Sequence, residues 1–264
     1  MPKILQAALT GSTVLGMLIP SAVYGVDHNN LDAGRPLSFD DAESIGRGEQ
    51  SLELGAALVV PSDEAVGGEF DVEYLYGFAL NTHVILGIDP QVGGRADPGD
   101  TNFDPGDLSL GVLHNFNREF DAVPAFALRL DAAFPTGRDS DGVNFRLRGI
   151  ASKTLGQSNR LHLNLDLELS TASDEGDRSV IPGAILGYSR PLGIPRRFDR
   201  TFLAEIGLRA GEEADGAAVF SLGVGLRQQI GKRSIFDLGV QSNLTGSNEE
   251  RNDFRLVTGY SLSF

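Results

Sequence analysis

Between Arg160 and Ser170 the chain alternates without a break. Leu161, Leu163, Leu165, Leu167 and Leu169 fall on one side, and His162, Asn164, Asp166, Glu168 and Ser170 on the other. A period of two places successive side chains on opposite faces of a β-strand. The pattern recurs from Glu69 to Leu80, where Phe70, Val72, Tyr74, Tyr76, Phe78 and Leu80 oppose Asp71, Glu73, Leu75, Gly77 and Ala79. Residues 123–134 set Pro124, Phe126, Leu128, Leu130, Ala132 and Phe134 against Arg129 and Asp131. A helix would scatter these charges around every face, so the segments are strands with one apolar and one polar side.

Twelve such segments follow one another, at 49–60, 69–80, 83–93, 106–117, 123–134, 142–155, 160–171, 178–190, 200–210, 216–230, 234–245 and 252–264. The connections alternate in kind. One set is short (Asn81-Thr82, 117–121, 156–159, 231–233), with 191–199 as its long member. The other set is longer and acidic: 61–68, 94–105, 135–141, 172–177, 211–215 and 246–251. An even strand count with short turns at one end and longer loops at the other is the pattern of an antiparallel up-and-down barrel in a membrane. The expected fold is therefore all-β, a transmembrane β-barrel of about twelve strands.

Composition narrows the function classes. The 264 residues carry a formal net charge of −14, which argues against nucleic acid, since phosphate binding needs a basic face. There is no Cys, hence neither a disulfide framework nor a thiolate metal site. Beyond the first 25 residues there is no apolar run of about 18–20 residues, the length of a membrane helix. Barrel strands need only about 9–11 alternating residues and escape that test. The first residues have the form of a signal peptide: Lys3, then an apolar run from Ile4 to Ile19, then Val23-Tyr24-Gly25 before the cut. The expected organisation is a signal peptide at 1–25, a polar periplasmic arm at 26–48 and a barrel at 49–264.

Two resemblances sharpen this reading. The end of the chain, Phe254 to Phe264, is apolar, aromatic or Thr at every even position and closes on an aromatic residue. It looks like the terminal strand of bacterial outer-membrane barrels, in which Tyr260, Leu262 and Phe264 would form the signal read by the barrel-assembly machinery. Further stretches are Arg35-Pro36-Leu37-Ser38-Phe39-Asp40-Asp41-Ala42, 46–54, Gly106-Asp107-Leu108-Ser109-Leu110-Gly111, 124–137 ending in Phe134-Pro135-Thr136-Gly137, and Asp237-Leu238-Gly239-Val240. In this order they resemble the outer-membrane transporter family named for the meta-cleavage pathway of phenol degradation. The resemblance implies a monomeric barrel in the outer membrane of a Gram-negative cell, with outer-membrane lipid around it. It also implies passage of small organic compounds, and it carries no catalytic residues and no cofactor. Both chain ends would lie in the periplasm.

The polar face supplies the candidate site. It carries Glu53, Glu73, Asp89, Arg129, Asp131, Arg146, Arg148, Asp166, Glu168, Glu205, Arg209, Arg227, Asp237 and Arg255. A twelve-stranded barrel has a backbone diameter on the order of 24 Å. Long charged side chains would pair across that width. Two readings follow: a narrow polar pore for small, hydrophobic or aromatic solutes, or a non-transporting structural barrel plugged by its own ion pairs. A third is an outer-membrane hydrolase, for which His162 with Ser152, Asp166 or Ser170 is the candidate group, although no motif fixes a triad. The segments 97–107 and Asp139-Ser140-Asp141-Gly142 carry calcium-like oxygen ligands. They lack the full loop pattern, so turn formation is the better account and no metal site is assigned. Arg196-Arg197 falls in a short-set turn as solvated charge. Strand glycines such as Gly55, Gly77, Gly223, Gly225, Gly239 and Gly259 leave room for bends and large neighbours.

Overall fold

The computed structural model describes residues 35–61, 66–93, 103–138, 140–192, 199–247, 250 and 252–264. The expected signal peptide, the first part of the expected arm, residues 97–102 of the first calcium-like loop, Asp139 and the Arg196-Arg197 pair lie outside them.

The strands are β1 (Gln50–Pro61), β2 (Gly67–Ala79), β3 (Thr82–Ile88), β4 (Gln91–Gly93), β5 (Phe103–Asp104), β6 (Leu108–Asn117), β7 (Ala125–Phe134) and β8 (Asn144–Leu155). They continue as β9 (Asn159–Ser170), β10 (Val180–Leu192), β11 (Arg200–Arg209), β12 (Val219–Gln229), β13 (Ser234–Asn243) and β14 (Asn252–Ser263). All but β4 and β5 pair antiparallel with their neighbours around a ring. The ring closes where β1 meets both β2 and β14, with Leu54 opposite Tyr260. Closure leaves no edge of the twelve-strand ring unpaired, as a hydrocarbon surrounding requires. Both ends of the sheet lie at one end of the barrel, the terminal end, and the longer connections lie at the other, the loop end.

The third segment differs from its expected extent of 83–93. Pro90 offers no N–H to the ladder, and the strand breaks at Asp89-Pro90. Its continuation β4 stays on the edge of β2 and pairs with β5. Pro182, by contrast, sits within β10 opposite Leu167 without breaking it.

Alternation sorts the side chains as the period requires. Leu58, Phe70, Leu86, Leu110, Leu130, Leu147, Leu165, Leu186, Ile206, Val224, Leu238 and Phe254, one on each of the twelve strands of the ring, are all exposed on the outer surface. So large a continuous apolar surface is stable only against lipid. Phe116 and Phe120 flank it at the terminal end and Phe134 and Phe220 at the loop end, in the manner of interfacial girdles. The inward positions hold Glu53, Arg129, Arg148, His162, Asn164, Glu205, Arg227 and Asp237, all buried.

They are buried because residues 35–46 run inside the barrel. Arg35 sits against β1, β2 and β14, Pro36 against β12 and β13, Leu37 and Ser38 against β11, and Phe39 against β9 and β10. Ala42 then reaches β6 and β8, Ile45 reaches β3 and Gly46 reaches β2. The arm thus makes nearly a full circuit of the inner wall before entering β1. Its apolar residues bury among inward apolar side chains: Leu37 and Phe39 on Leu203 and Ile185, and Ala42 with Leu113, Ala125, Ala127 and Ile150. The strand glycines are the seats of this segment. A Cβ on Gly225 would come within 2.8 Å of the Pro36 ring, one on Gly223 within 2.9 Å of Leu37, and one on Gly187 would fall on the Phe39 ring.

Candidate functional site

The arm's backbone needs partners, because a buried peptide group left unpaired costs free energy comparable to a lost hydrogen bond. Inward polar residues supply them. Asn164 makes a two-way contact, its Oδ1 accepting from the Asp40 N–H at 2.7 Å and its Nδ2 donating to the Asp40 carbonyl at 2.9 Å. Glu205 accepts the Ser38 N–H at 2.8 Å, and Ser152 Oγ accepts the Ala42 N–H at 3.0 Å. Asn115 donates to the Ala42 carbonyl at 2.5 Å.

Charge completes the docking at two points. Arg35 pairs with Glu53, with Glu73 at 2.9 Å and with Asp71 at 3.3 Å. Asp40 lies between Arg148, 2.9 Å away, and Arg129, 3.6 Å away. Burial alone would raise the Asp40 carboxyl. The guanidinium groups of Arg129, Arg148 and Arg146 outweigh that and hold its pKa below the ordinary aspartate value. Arg148 also donates to the Ser38 carbonyl at 2.9 Å and to Asp166 at 2.6 Å.

The fourteen residues singled out from the sequence fall into two groups. Glu53, Glu73, Arg129, Arg148, Asp166, Glu205, Arg227 and Asp237 surround the arm. Arg227 and Asp237, directly opposite on β12 and β13, form a fully buried pair at 2.8 and 3.1 Å. Asp89, Asp131, Arg146, Glu168, Arg209 and Arg255 stand above it towards the loop end. Arg146 meets Asp131 at 3.2 Å, Arg209 meets Glu250 at 2.9 Å and Glu168 at 3.7 Å, and Arg255 meets Glu69 at 2.8 Å. Asp89 accepts the Asp107 N–H at 2.7 Å.

The pairs differ from the expected arrangement in one respect. Most join near neighbours on the wall or reach the arm; the widest, Arg129 on β7 to Glu73 on β2 at 3.4 Å, passes over β3 and β6. A guanidinium finds a carboxylate on the next strand about 5 Å away, so nothing draws it across the full width, and the arm takes the middle. Sequence reasoning left Arg35, Asp40, Asn164 and Asn115 out of the site. The available signal was the arm itself, which carries Arg35, Asp40 and Asp41 around apolar Leu37 and Phe39 in a segment otherwise read as a polar lead-in.

Above the arm the lumen opens into a cup of about 600 Å³, with Arg35 and Ser38 at its floor. One arc of its wall is charged: Glu69, Asp71 and Glu73 on β2, Asp89 after β3, Arg129 on β7, Arg146 and Arg148 on β8, Asp166 and Glu168 on β9. The facing arc, from β10 to β12 and on to β14 and β1, presents Ile181, Ile185, Val219, Val257 and Ala57 with Gly183 and Gly207 between them, and carries Arg209, Ser221 and Arg255 as polar members. Loops tie down the rim. The Asp107 carboxylate accepts from Gly137 at 2.9 Å and from Thr136 at 3.1 Å, and the Asp104 carboxylate accepts from Arg138 at 3.0 Å. These carboxylates act as turn ligands to backbone N–H groups.

His162 lies beneath the arm, with Nδ1 2.9 Å from Ser152 Oγ and Nε2 3.0 Å from Ser189 Oγ, and the Phe39 ring stacks on it at 5.1 Å. Asp166 is engaged by Arg148, and the Ser170 hydroxyl donates to the Ala172 carbonyl at 2.5 Å. Of the three partners weighed from the sequence, Ser152 is the one that hydrogen-bonds the ring. At the terminal end Tyr260 faces outward, Leu262 lies opposite Leu52, and the Phe264 N–H donates to the Gln50 carbonyl at 3.0 Å.

The fold recurs in solved structures. An outer membrane channel from Pseudomonas putida F1 superposes with a TM-score of 0.64 at 16% identity, covering 89% of this chain and 100% of that one. The NanC porin gives 0.58 at 10% identity over 80% and 98%. The β domain of the Bordetella autotransporter BrkA gives 0.52 at 15% identity over 83% and 100%. At these identities the likeness is one of fold. No curated protein matches the sequence. Residues 33–255, nearly the whole barrel and the described arm, match one protein family, and the chain belongs to it: the family described as "Putative MetA-pathway of phenol degradation".

Proposed function

We propose that the protein is a passive channel of the Gram-negative outer membrane for small organic compounds, with its lumen gated by the N-terminal arm. One observation carries this reading. The barrel encloses a cup of about 600 Å³ whose floor is a chain segment held by separable, non-covalent contacts. That volume lies in the range of small-molecule sites. A charged arc facing a mixed arc with an apolar patch (Ile181, Ile185, Val219, Val257) suits solutes with an apolar body and a polar group, in keeping with the family's association with phenol degradation.

Both termini are assigned to the periplasm, because the terminal end carries tight turns and the loop end the longer connections. Tyr260, Leu262 and Phe264, on the strand that closes the ring, are assigned as the signal for the barrel-assembly machinery. The protein acts as a monomer, since the ring closes on itself and its apolar belt is unbroken. His162 serves as an anchor under Phe39 and not as a catalytic base: a nucleophile at Ser152 would be covered by the arm, and its Oγ already accepts the Ala42 N–H.

A second reading is a sealed structural barrel. It is favoured by Asp40, whose placement between Arg129 and Arg148 makes the floor costly to open. Planar-bilayer recording separates the two. A channel gives defined conductance steps and admits small phenolic solutes in liposome-swelling assays. A sealed barrel gives neither at any voltage.

A further inference from the structure

The strands carry ten basic side chains, and eight of them have a carboxylate partner. Arg129, Arg146, Arg148, Arg160, Arg209, Arg227 and Arg255 pair inside the barrel, and Lys153 on the outer face pairs with Glu119. The exceptions are Arg190 at the end of β10 and Arg200 at the start of β11. Among the described residues neither has a carboxylate partner and both are exposed; of the intervening residues 191–199 only Asp199 is acidic, and it pairs with neither arginine.

Their positions are specific. Arg190 lies opposite Phe202, and Arg200 lies opposite Leu192 and Gln228. The two arginines are therefore diagonal neighbours on one face, a few ångströms beyond contact. That face is the outward one, shared with Leu186, Ile206 and Phe236. Two like charges so placed repel one another. An arginine on the lipid side costs about 2–4 kcal/mol at mid-membrane and about 0–1 near the interface. Both penalties fall when an anion sits between the guanidinium groups just outside the apolar belt. Guanidinium pairs bidentately with phosphate, and the only phosphate guaranteed at that height on a lipid-facing wall is a headgroup.

We infer that Arg190 and Arg200 form a binding site for the phosphate of an anionic phospholipid in the leaflet at the terminal end. This rests on the membrane reading above and is independent of whether the lumen conducts.

The test uses the full-length mature protein, purified in detergent and titrated with phosphatidylglycerol, phosphatidylcholine or lipopolysaccharide, with retained lipid read by native mass spectrometry. Phosphatidylglycerol should be retained preferentially, and Arg190→Gln with Arg200→Gln should reduce that preference on the order of tenfold. Lys153→Gln, outward at the same end but already paired, should leave it unchanged. Flotation with vesicles and the heat-dependent gel shift of a folded barrel show that each variant is inserted and closed. Loss of flotation in the wild type would instead sink the membrane reading. Equal retention of the two lipids, or an inserted double variant that keeps the wild-type preference, overturns the proposal. So does preferential retention of lipopolysaccharide over phosphatidylglycerol, which would place the site in the other leaflet.

Discussion

The two halves of the lumen are lined by the same residue types and end in opposite states. In the terminal half, Arg129, Arg148, Arg227, Glu205 and Asp237 are buried around the arm. In the loop half, Arg146, Arg209 and Arg255 keep side chains roughly a third exposed over an open cup. Charge on the wall decides neither state. Small positions do: glycines at 55, 187, 223, 225, 239 and 259 line the occupied half and admit a second layer of chain. In the cup the small positions Gly183 and Gly207 face open space or wall side chains. A barrel this narrow stores either a peptide or a solute at a given level, and glycine placement selects which.

That contrast can be broken most strongly at Asp40. Asp40→Ala leaves Arg129 and Arg148 facing each other without their shared carboxylate. Removing one partner of a buried pair costs roughly 3–5 kcal/mol, so the arm should become protease-sensitive while the barrel stays closed. Phe39→Ala removes the ring packed on His162, Leu203 and Ile185, with an expected loss of about 3–5 kcal/mol of docking. Amide exchange of residues 37–42 would report it.

Gly187→Val tests the converse, filling the seat and leaving the arm intact. Overpacking costs about 1–3 kcal/mol, and the arm should loosen by that amount. Acid should act on the same half. Because the Asp40 carboxyl titrates below its ordinary value, its contribution is complete above the unfolded aspartate value of about 3.9 and is lost as pH falls through the lower folded one. The Asp40 share of arm protection should therefore hold at pH 5 and fade only in stronger acid, and Asp40→Asn should remove that part of the pH dependence. The smallest effect belongs to the cup. Arg146→Gln breaks a partly exposed pair worth about 0–1 kcal/mol, so stability should hardly move while the ion selectivity of the channel shifts toward cations.

The sequence spoke clearly where the physics is local. A period of two needs only neighbouring residues, so the twelve strands of the ring and their apolar faces could be read directly, with the break at Asp89-Pro90 as the main departure in strand extent. The partners of the arm could not be read in that way. Ser38 and Glu205 are 167 residues apart, and Asp40 and Asn164 are 124 apart. Such pairs exist only once the ring has closed and turned one face inward. The same limit explains why inward charges could be named but not matched. Each had several candidate partners, and the choice was made by strand register and by a segment with no period of its own.

The central claim is that residues 35–46, and not the wall charges, close the lumen. Replacing residues 36–44 with a glycine-serine linker of equal length removes Leu37, Phe39 and Asp40 while keeping every strand. Single-channel conductance of this variant beside the wild type tests the claim directly. A several-fold larger, stable conductance in the variant is the predicted result. Equal conductance, or silence in both, would show that the arm is not what controls passage.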